Sequence, residues 1–197
     1  MILNFKGIDY KTEWIEYPDL EPTFKSLYVC SNHRQIGNKL TQRSGIPPND
    51  KNAPGYFKDY SSPAIRYPDG TYGMDSWPIA QELERRYPSP SLHLDDPIVV
   101  QIRDHVAKLM GPLVPHFIPK VPSLLPKRSA DFFYETREKM FGAPLQEVEK
   151  NGATEECWEK AKEPAKEAGD LLRKNGGPFF LGETGEQTDY GLQGYMS

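Results

Sequence analysis

The run from Pro63 to Arg86 leaves the chain fewer conformational choices than any other part of the sequence. Ala64-Ile65-Arg66-Tyr67 suits a short strand, Pro68-Asp69-Gly70 is a turn with proline in its preferred second place, and Thr71 to Met74 returns as a second strand. Asp75-Ser76 then opens a helix. Either residue is a good N-cap, Pro78 falls in the first turn, where a missing N–H costs nothing, and Ile79, Ala80, Leu83 and Tyr87 share one face. These features predict a β-hairpin running directly into a capped helix.

Two features of this stretch go beyond scaffolding. Pro63 sits at a strand start, where proline is tolerated; if the Ser62–Pro63 bond is cis, the preceding backbone N–H and C=O can face a ligand instead of a neighbouring strand, although X–Pro bonds are mostly trans. The Asp75-Ser76 turn offers unpaired N–H groups for a carboxylate, and Asp75 can receive an ammonium. A ligand carrying both charges, such as an amino-acid end, fits that pair. An ordinary helix cap explains the same residues without any ligand.

Pro63-Ala64-Ile65, the Asp69-Gly70 turn, Asp75-Ser76 and Ile79-Ala80-Gln81-x-Leu83 together resemble the glutathione-binding half of the cytosolic glutathione transferases. Phe5-Lys6-Gly7, the run Trp14-Ile15-Glu16-Tyr17-Pro18-Asp19 and Tyr87-Pro88 are similar to a fungal branch of that family. The resemblance covers roughly residues 1–27 and 45–184. It implies that Ser62, ahead of a cis Pro63, pairs through its backbone with the cysteinyl part of glutathione, and that Asp75 and Ser76 hold the γ-glutamyl end. Glutathione as co-substrate and a small electrophile as second substrate come with the family, as does a homodimer.

Composition narrows the partners. With 24 basic and 28 acidic residues the formal net charge is −4, and there is no Lys/Arg run, which argues against nucleic acid and anionic membranes as partners. No apolar stretch approaches the ~20 residues of a membrane span, and Met1-Ile2-Leu3 leads straight into Asn4 and Lys6 without a signal-peptide pattern. Cys30 and Cys157 are the only cysteines, too few for a disulfide framework. A cytoplasmic protein with reduced thiols is the expectation. Cys30-x-x-His33 offers two metal ligands without a second pair, so no metal site is predicted.

Taken from its start, the chain opens with a helix C-terminus closed by Gly7, followed by a strand over Ile8–Tyr17 rich in aromatic and β-branched residues. Against the family pattern, the first strand and the first half of that helix are missing, together with the loop that carries the thiol-activating residue. No catalytic residue is therefore assigned, and activity in this chain is doubtful on that reading. Phe24-Lys25-Ser26-Leu27 would join naturally to Gly45-Ile46-Pro47-Pro48, so Tyr28–Ser44 reads as an insertion, an in-frame intron taken as coding; the bland reading is a loop. Pro88 to Asp96 clusters turn residues and marks a domain boundary.

Beyond the boundary the pattern is helical. Asp96-Pro97 caps a helix through Ile98, Ile102, Val106 and Leu109. Pro115, Pro119, Pro122 and Pro126 are expected to forbid regular structure until Ser129 caps a helix closed by Gly142, and a third helix starts at Thr154 and runs to Gly176, interrupted by Pro164. His105, His116, Trp77 and Trp158 read as packing or surface residues before ligand-binding ones, and Cys157, beside Glu156, as inert. Gly185 to Ser197 reads as an irregular tail where the family places a buried helix.

The fold class expected is therefore α/β plus all-α: an incomplete thioredoxin-like domain over residues 1–87, a linker over 88–96, an incomplete helical domain over 97–184 and an irregular tail over 185–197. The function expected is a glutathione transferase-like protein that binds glutathione, whose intact relatives conjugate or deglutathionylate small electrophiles. The rivals are a non-catalytic thioredoxin-like binding module and a non-functional truncated product.

Overall fold

The computed structural model describes residues 1–30, 46–53, 56 and 58–182. The expected insertion over Tyr28–Ser44, the Cys30/His33 pair and the tail over 185–197 lie wholly or partly outside the described residues. The chain divides into two compact units, one formed by Met1–Tyr10 with the chain from Pro88 onward, the other by Lys11–Tyr87. The first ten residues thus pack with the helical part and not with the hairpin.

The Lys11–Tyr87 unit holds helix α2 (Tyr17–Cys30), strands β1 (Ala64–Arg66) and β2 (Tyr72–Met74), and helix α3 (Ser76–Arg86). The strands pair antiparallel in the register Ala64↔Met74, Ile65↔Gly73 and Arg66↔Tyr72. The turn closes as its residues dictate: Gly70 N–H donates to the Tyr67 carbonyl at 2.9 Å, Tyr67 N–H to the Thr71 carbonyl at 2.8 Å, and Gly70 takes the left-handed φ of 82° that a three-residue hairpin loop requires. Phe24, Ile46, Tyr60 and Met74 form the buried cluster, flanked by Ile15, Leu20, Leu27 and Tyr72. Phe24 and Ile46, on either side of the expected insertion, thus meet in one core.

The strand expected over Ile8–Tyr17 is not formed. Residues 8–16 make no ladder, helix α2 begins at Tyr17, and the aromatic side chains that raised the strand propensity are largely outside, with Trp14 92% exposed. Propensity alone does not make a strand: without a hydrogen-bonded neighbour an extended segment has nothing to pay its ordering entropy.

The other unit begins with α1 (Ile2–Phe5), ended by Gly7 at φ 64°, with Gly7 N–H on the Asn4 carbonyl and Ile8 N–H on the Leu3 carbonyl. Those two bonds satisfy the last helical carbonyls and make the expected glycine stop. Lys6 is buried and donates to the Pro90 carbonyl at 2.8 Å, tying this end to the 88–96 segment. Helix α4 (Pro97–Met110) starts as expected, with Ile98 N–H on the Asp96 carboxylate at 2.8 Å and proline in the first turn.

The proline-rich stretch corrects the sequence reading. It is not irregular: 3-10 turns at Gly111–Leu113 and Ile118–Leu124 flank a short helix α5 (Val114–Phe117). Each turn carries a proline in its first two positions, where no N–H is needed, so short tight turns absorb what a long helix could not. Helix α6 (Lys127–Phe141) starts after Pro126, and Ser129, expected as its cap, lies buried inside it. Gly142 ends it at φ 71°. A helix α7 (Leu145–Gly152), unforeseen in the sequence, precedes α8 (Glu155–Arg173), whose N-cap position is Thr154 as expected. Buried Ile98, Ile102, Phe133, Leu145, Ala161 and Phe180 carry the packing of this unit.

Candidate functional site at the hairpin–helix junction

β1 and α3 begin at the same end of the hairpin, because Ala64 pairs with Met74. Asp75 N–H donates to the Pro63 carbonyl at 3.1 Å, one step beyond that pair. The Ser62–Pro63 peptide is cis. Ser62 and Pro63 are exposed, while Asp75 and Ser76 are half-buried. All four residues singled out in the sequence therefore meet at one place.

Asp75 is the N-cap of α3, and it adopts an unusual backbone for a residue with a Cβ, φ 72° and ψ 137°. Three hydrogen bonds hold it there: its N–H on Pro63, its carbonyl accepting from Ile79 N–H at 3.1 Å, and its carboxylate accepting from Trp77 N–H at 3.2 Å. The Ser76 hydroxyl donates to the same carboxylate oxygen at a long 3.5 Å. Pro78 has no N–H, so Ser76 N–H is the first-turn donor of α3 left without an acceptor among the described residues. An N–H at a helix start, a neighbouring hydroxyl and a carboxylate oxygen not used by Trp77 can address a carboxylate and an ammonium together.

The loop ahead of Ser62 is pinned by Asn49, a residue the sequence reading passed over. Its amide nitrogen donates to the Lys58 carbonyl and to the Ser61 hydroxyl, both at 2.9 Å, and its backbone N–H donates to the Asp59 carbonyl at 2.7 Å. Ser61 N–H in turn points at the Met74 sulfur at 3.4 Å. The signal available in sequence was only an Asn after Pro47-Pro48, which reads as a turn.

A family profile described as "Glutathione S-transferase, C-terminal domain" matches residues 102–196. The glutathione S-transferase-like protein ustS of Aspergillus flavus is 30% identical over 216 residues, covering 100% of this chain and 70% of that protein. The chain belongs to the glutathione S-transferase family. A glutathione transferase of Phanerochaete chrysosporium superposes with a TM-score of 0.72 at 31% identity, covering 95% of this chain and 70% of that one. A glutathione S-transferase of Ceriporiopsis subvermispora, solved in complex with glutathione, matches with a TM-score of 0.71 at 28% identity over 95% of this chain and 72% of its own. The fold class expected, a thioredoxin-like part followed by a helical domain, is that of these transferases.

In this family member His105 and His116 make structural contacts. Buried His105 on α4 meets the Pro164 carbonyl of α8 through Nε2 at 2.6 Å, with Nδ1 3.5 Å from the Glu167 carboxylate. Beside it lies a cavity of about 20 Å³, lined by Ile102, Val106, Leu109, Ala168, Leu171 and Phe180, which is room for one small molecule the size of water and no substrate. His116 contacts the Thr154 carbonyl at 3.2 Å and lies 5.1 Å from the Trp158 ring, a surface aromatic contact. The Cys157 thiol donates to the Gly152 carbonyl at 3.0 Å. No cluster of three or more metal-ligating side chains occurs among the described residues.

The far end of α3 is tied to the hairpin turn. Arg86 reaches the Asp69 carboxylate at 2.8 Å, the Glu82 carboxylate at 2.5 Å and the Thr71 hydroxyl at 3.2 Å, with its guanidinium 4.2 Å from the centre of the Tyr67 ring. Hydrogen bonds from the Thr71 hydroxyl and amide, then from Arg86, hold Asp69 down to about 2. Arg85 and then Arg86 hold Glu82 down to about 2. Burial pushes the Tyr67 phenol up. The Glu82/Arg86 spacing was legible as a helical ion pair; the reach to Asp69 and Thr71 was not.

Proposed function

We propose that the hairpin–helix junction binds glutathione, with the Ser62 backbone pairing with the cysteinyl part at Pro63 and with Asp75 and Ser76 holding the γ-glutamyl end. The observation that carries this reading is the hydrogen bond from Asp75 N–H to the Pro63 carbonyl, because it sets a cis-proline strand start beside a helix N-terminus whose first N–H is free. The γ-glutamyl end carries one ammonium and one carboxylate. Asp75 is matched to the first, and the Ser76 N–H and hydroxyl to the second, each charge-assisted bond contributing about 1.5–3 kcal/mol. Support also comes from the similar Ceriporiopsis subvermispora transferases solved in complex with glutathione.

The reaction class that goes with this site is conjugation or deglutathionylation of a small electrophile, in a protein whose free Cys157 thiol suits a reducing, cytoplasmic compartment. In conjugation to an aryl halide the glutathione sulfur forms the new S–C bond, the halide leaves with the electron pair, and the thiol proton passes to solvent. Glutathione binding is assigned to the Lys11–Tyr87 unit, with a homodimer as the working assembly.

The test is retention of the purified chain on immobilised glutathione with elution by free glutathione, followed by calorimetric titration. Specific elution by glutathione, but not by oxidised dithiothreitol, is the expected result. A soluble, folded chain that passes straight through would sink the reading and leave a thioredoxin-like scaffold without this ligand. Turnover of a generic aryl halide is then measured on the eluted protein, and its absence would restrict the function to binding.

A further inference from the structure

We propose that Arg86 is a positioning residue for the glutathione site, bracing the far end of α3 against the hairpin turn so that the Asp75–Ser76 end stays in place beside Ser62–Pro63. The inference rests on the glutathione reading above, but its mechanical part is a property of the unliganded chain.

Arg86 stands at the last position of α3, ten residues beyond Ser76, or about 15 Å along the axis at ~1.5 Å per residue. It cannot touch a ligand at the helix start. What it does touch is the other arm of the hairpin: Asp69 at 2.8 Å and Thr71 at 3.2 Å, both in or beside the turn. Its guanidinium also covers buried Tyr67, 4.2 Å from the ring centre. Tyr67 continues the connection inward, because its hydroxyl lies 2.7 Å from the point a Cβ on Gly73 would occupy and so packs against that glycine. Gly73 is two residues ahead of Asp75 on β2. One contiguous set of contacts therefore runs from Arg86 through Tyr67 and Gly73 to the cap that holds the ligand end.

Elsewhere α3 packs against both strands of the hairpin. Ile79, Ala80 and Leu83 are its buried residues, and apolar contacts resist sliding less specifically than a planar fork bonded on three sides. Arg85 is the internal control. It bonds the same Glu82 carboxylate at 2.7 and 2.8 Å, yet its side chain is 69% exposed and makes no bond to the hairpin.

The experiment compares the full chain with its Arg86→Ala, Arg86→Lys, Arg85→Ala and Asp69→Asn variants. Glutathione affinity is titrated well below each melting temperature, and hydrogen exchange is followed at the Gly73, Asp75 and Trp77 amides without ligand. Arg86→Ala is expected to weaken glutathione about fivefold in the folded fraction, Asp69→Asn in the same direction by about twofold, and Arg85→Ala not at all. Arg86→Lys keeps the charge but not the fork, so it rescues only part of the loss.

A merely structural Arg86 would lower the melting temperature and the titratable fraction while the remaining folded protein kept the wild-type affinity; that result overturns the proposal. If the wild type itself does not bind glutathione, the function reading fails on its own, and exchange still decides the brace: faster exchange at the three amides in Arg86→Ala than in Arg85→Ala supports it, equal exchange overturns it. Should Arg86→Ala fail to fold, Asp69→Asn breaks the same tie from the hairpin side and is judged by the same two readouts.

Discussion

Asp75 shows how one residue carries two opposed demands. Its φ of 72° is a conformation that costs a non-glycine residue about 1–3 kcal/mol, while its carboxylate caps α3. Replacing it by glycine removes the strain and gives up only the side-chain cap, whereas alanine keeps the strain and loses the cap. We expect Asp75→Ala to lower the urea-unfolding stability by about 0.5–2 kcal/mol and Asp75→Gly to leave it level or raise it, with glutathione retention lost in both. Equal destabilisation by the two variants would show that the backbone conformation stores no strain. Gly73 poses the converse problem. A methyl there would meet the Tyr67 hydroxyl at 2.7 Å and the Ile79 side chain at 3.3 Å, and Tyr67 is held in place under Arg86. Gly73→Ala is therefore expected to cost about 1–3 kcal/mol in equilibrium unfolding, a cost that Gly73→Ala with Tyr67→Phe reduces by removing the colliding oxygen.

At the scale of elements, starts and stops were set by single residues with identifiable chemistry. Asp96 and Pro97 start α4 and Gly7 ends α1, each legible because the local hydrogen bond that matters lies within a few residues of sequence. Gly142, at φ 71° with nothing within 4 Å of an added Cβ, isolates the conformational cost from any clash. Gly142→Ala should destabilise by about 1–2 kcal/mol in thermal unfolding, and Gly142→Asn by less, since asparagine visits the left-handed region more readily. An equal loss in both would place the penalty elsewhere than in φ. The proline-rich run between α4 and α6 was misread because the rule against helical proline holds for long interiors. In turns of three to seven residues a proline in the first two positions sits where N–H groups are spare, and the longest of them, Ile118–Leu124, also takes Pro122 in its interior. Similarly, the aromatic alternation over residues 8–16 supplied propensity without a pairing partner.

For the molecule as a whole, the charges of the hairpin–helix unit predict how it responds to acid. Asp69 and Glu82 are both held to about 2 by Thr71, Arg85 and Arg86, below the ordinary carboxylate values near ~4 of an unfolded chain. A carboxylate lowered in the fold stabilises it fully above the unfolded value, and that contribution is lost as pH falls through the folded one. Urea midpoints followed by tryptophan fluorescence should therefore stay level from neutral pH down to about 5 and decline between about 4.5 and 2. The Asp69→Asn/Glu82→Gln variant is expected to start lower at neutral pH and to decline less steeply across that window; an unchanged slope would mean that other carboxylates govern acid unfolding.

The sequence by itself determined the hairpin, the caps at Asp75 and Asp96, the stops at Gly7 and Gly142, the helical second half and the membership that the Pro63, Asp69-Gly70 and Asp75-Ser76 pattern pointed to, because each of these rests on dihedral preferences and hydrogen bonds among near neighbours. Only the tertiary structure decided that Phe24 and Ile46 share a core, that Asn49 pins Ser61, that Lys11 and not Met1 opens the hairpin's unit, and that Arg86 closes on Asp69 and Thr71. Those outcomes depend on contacts between segments distant along the chain. Their energy comes from burial and from charges brought together in space, and local propensity contains neither.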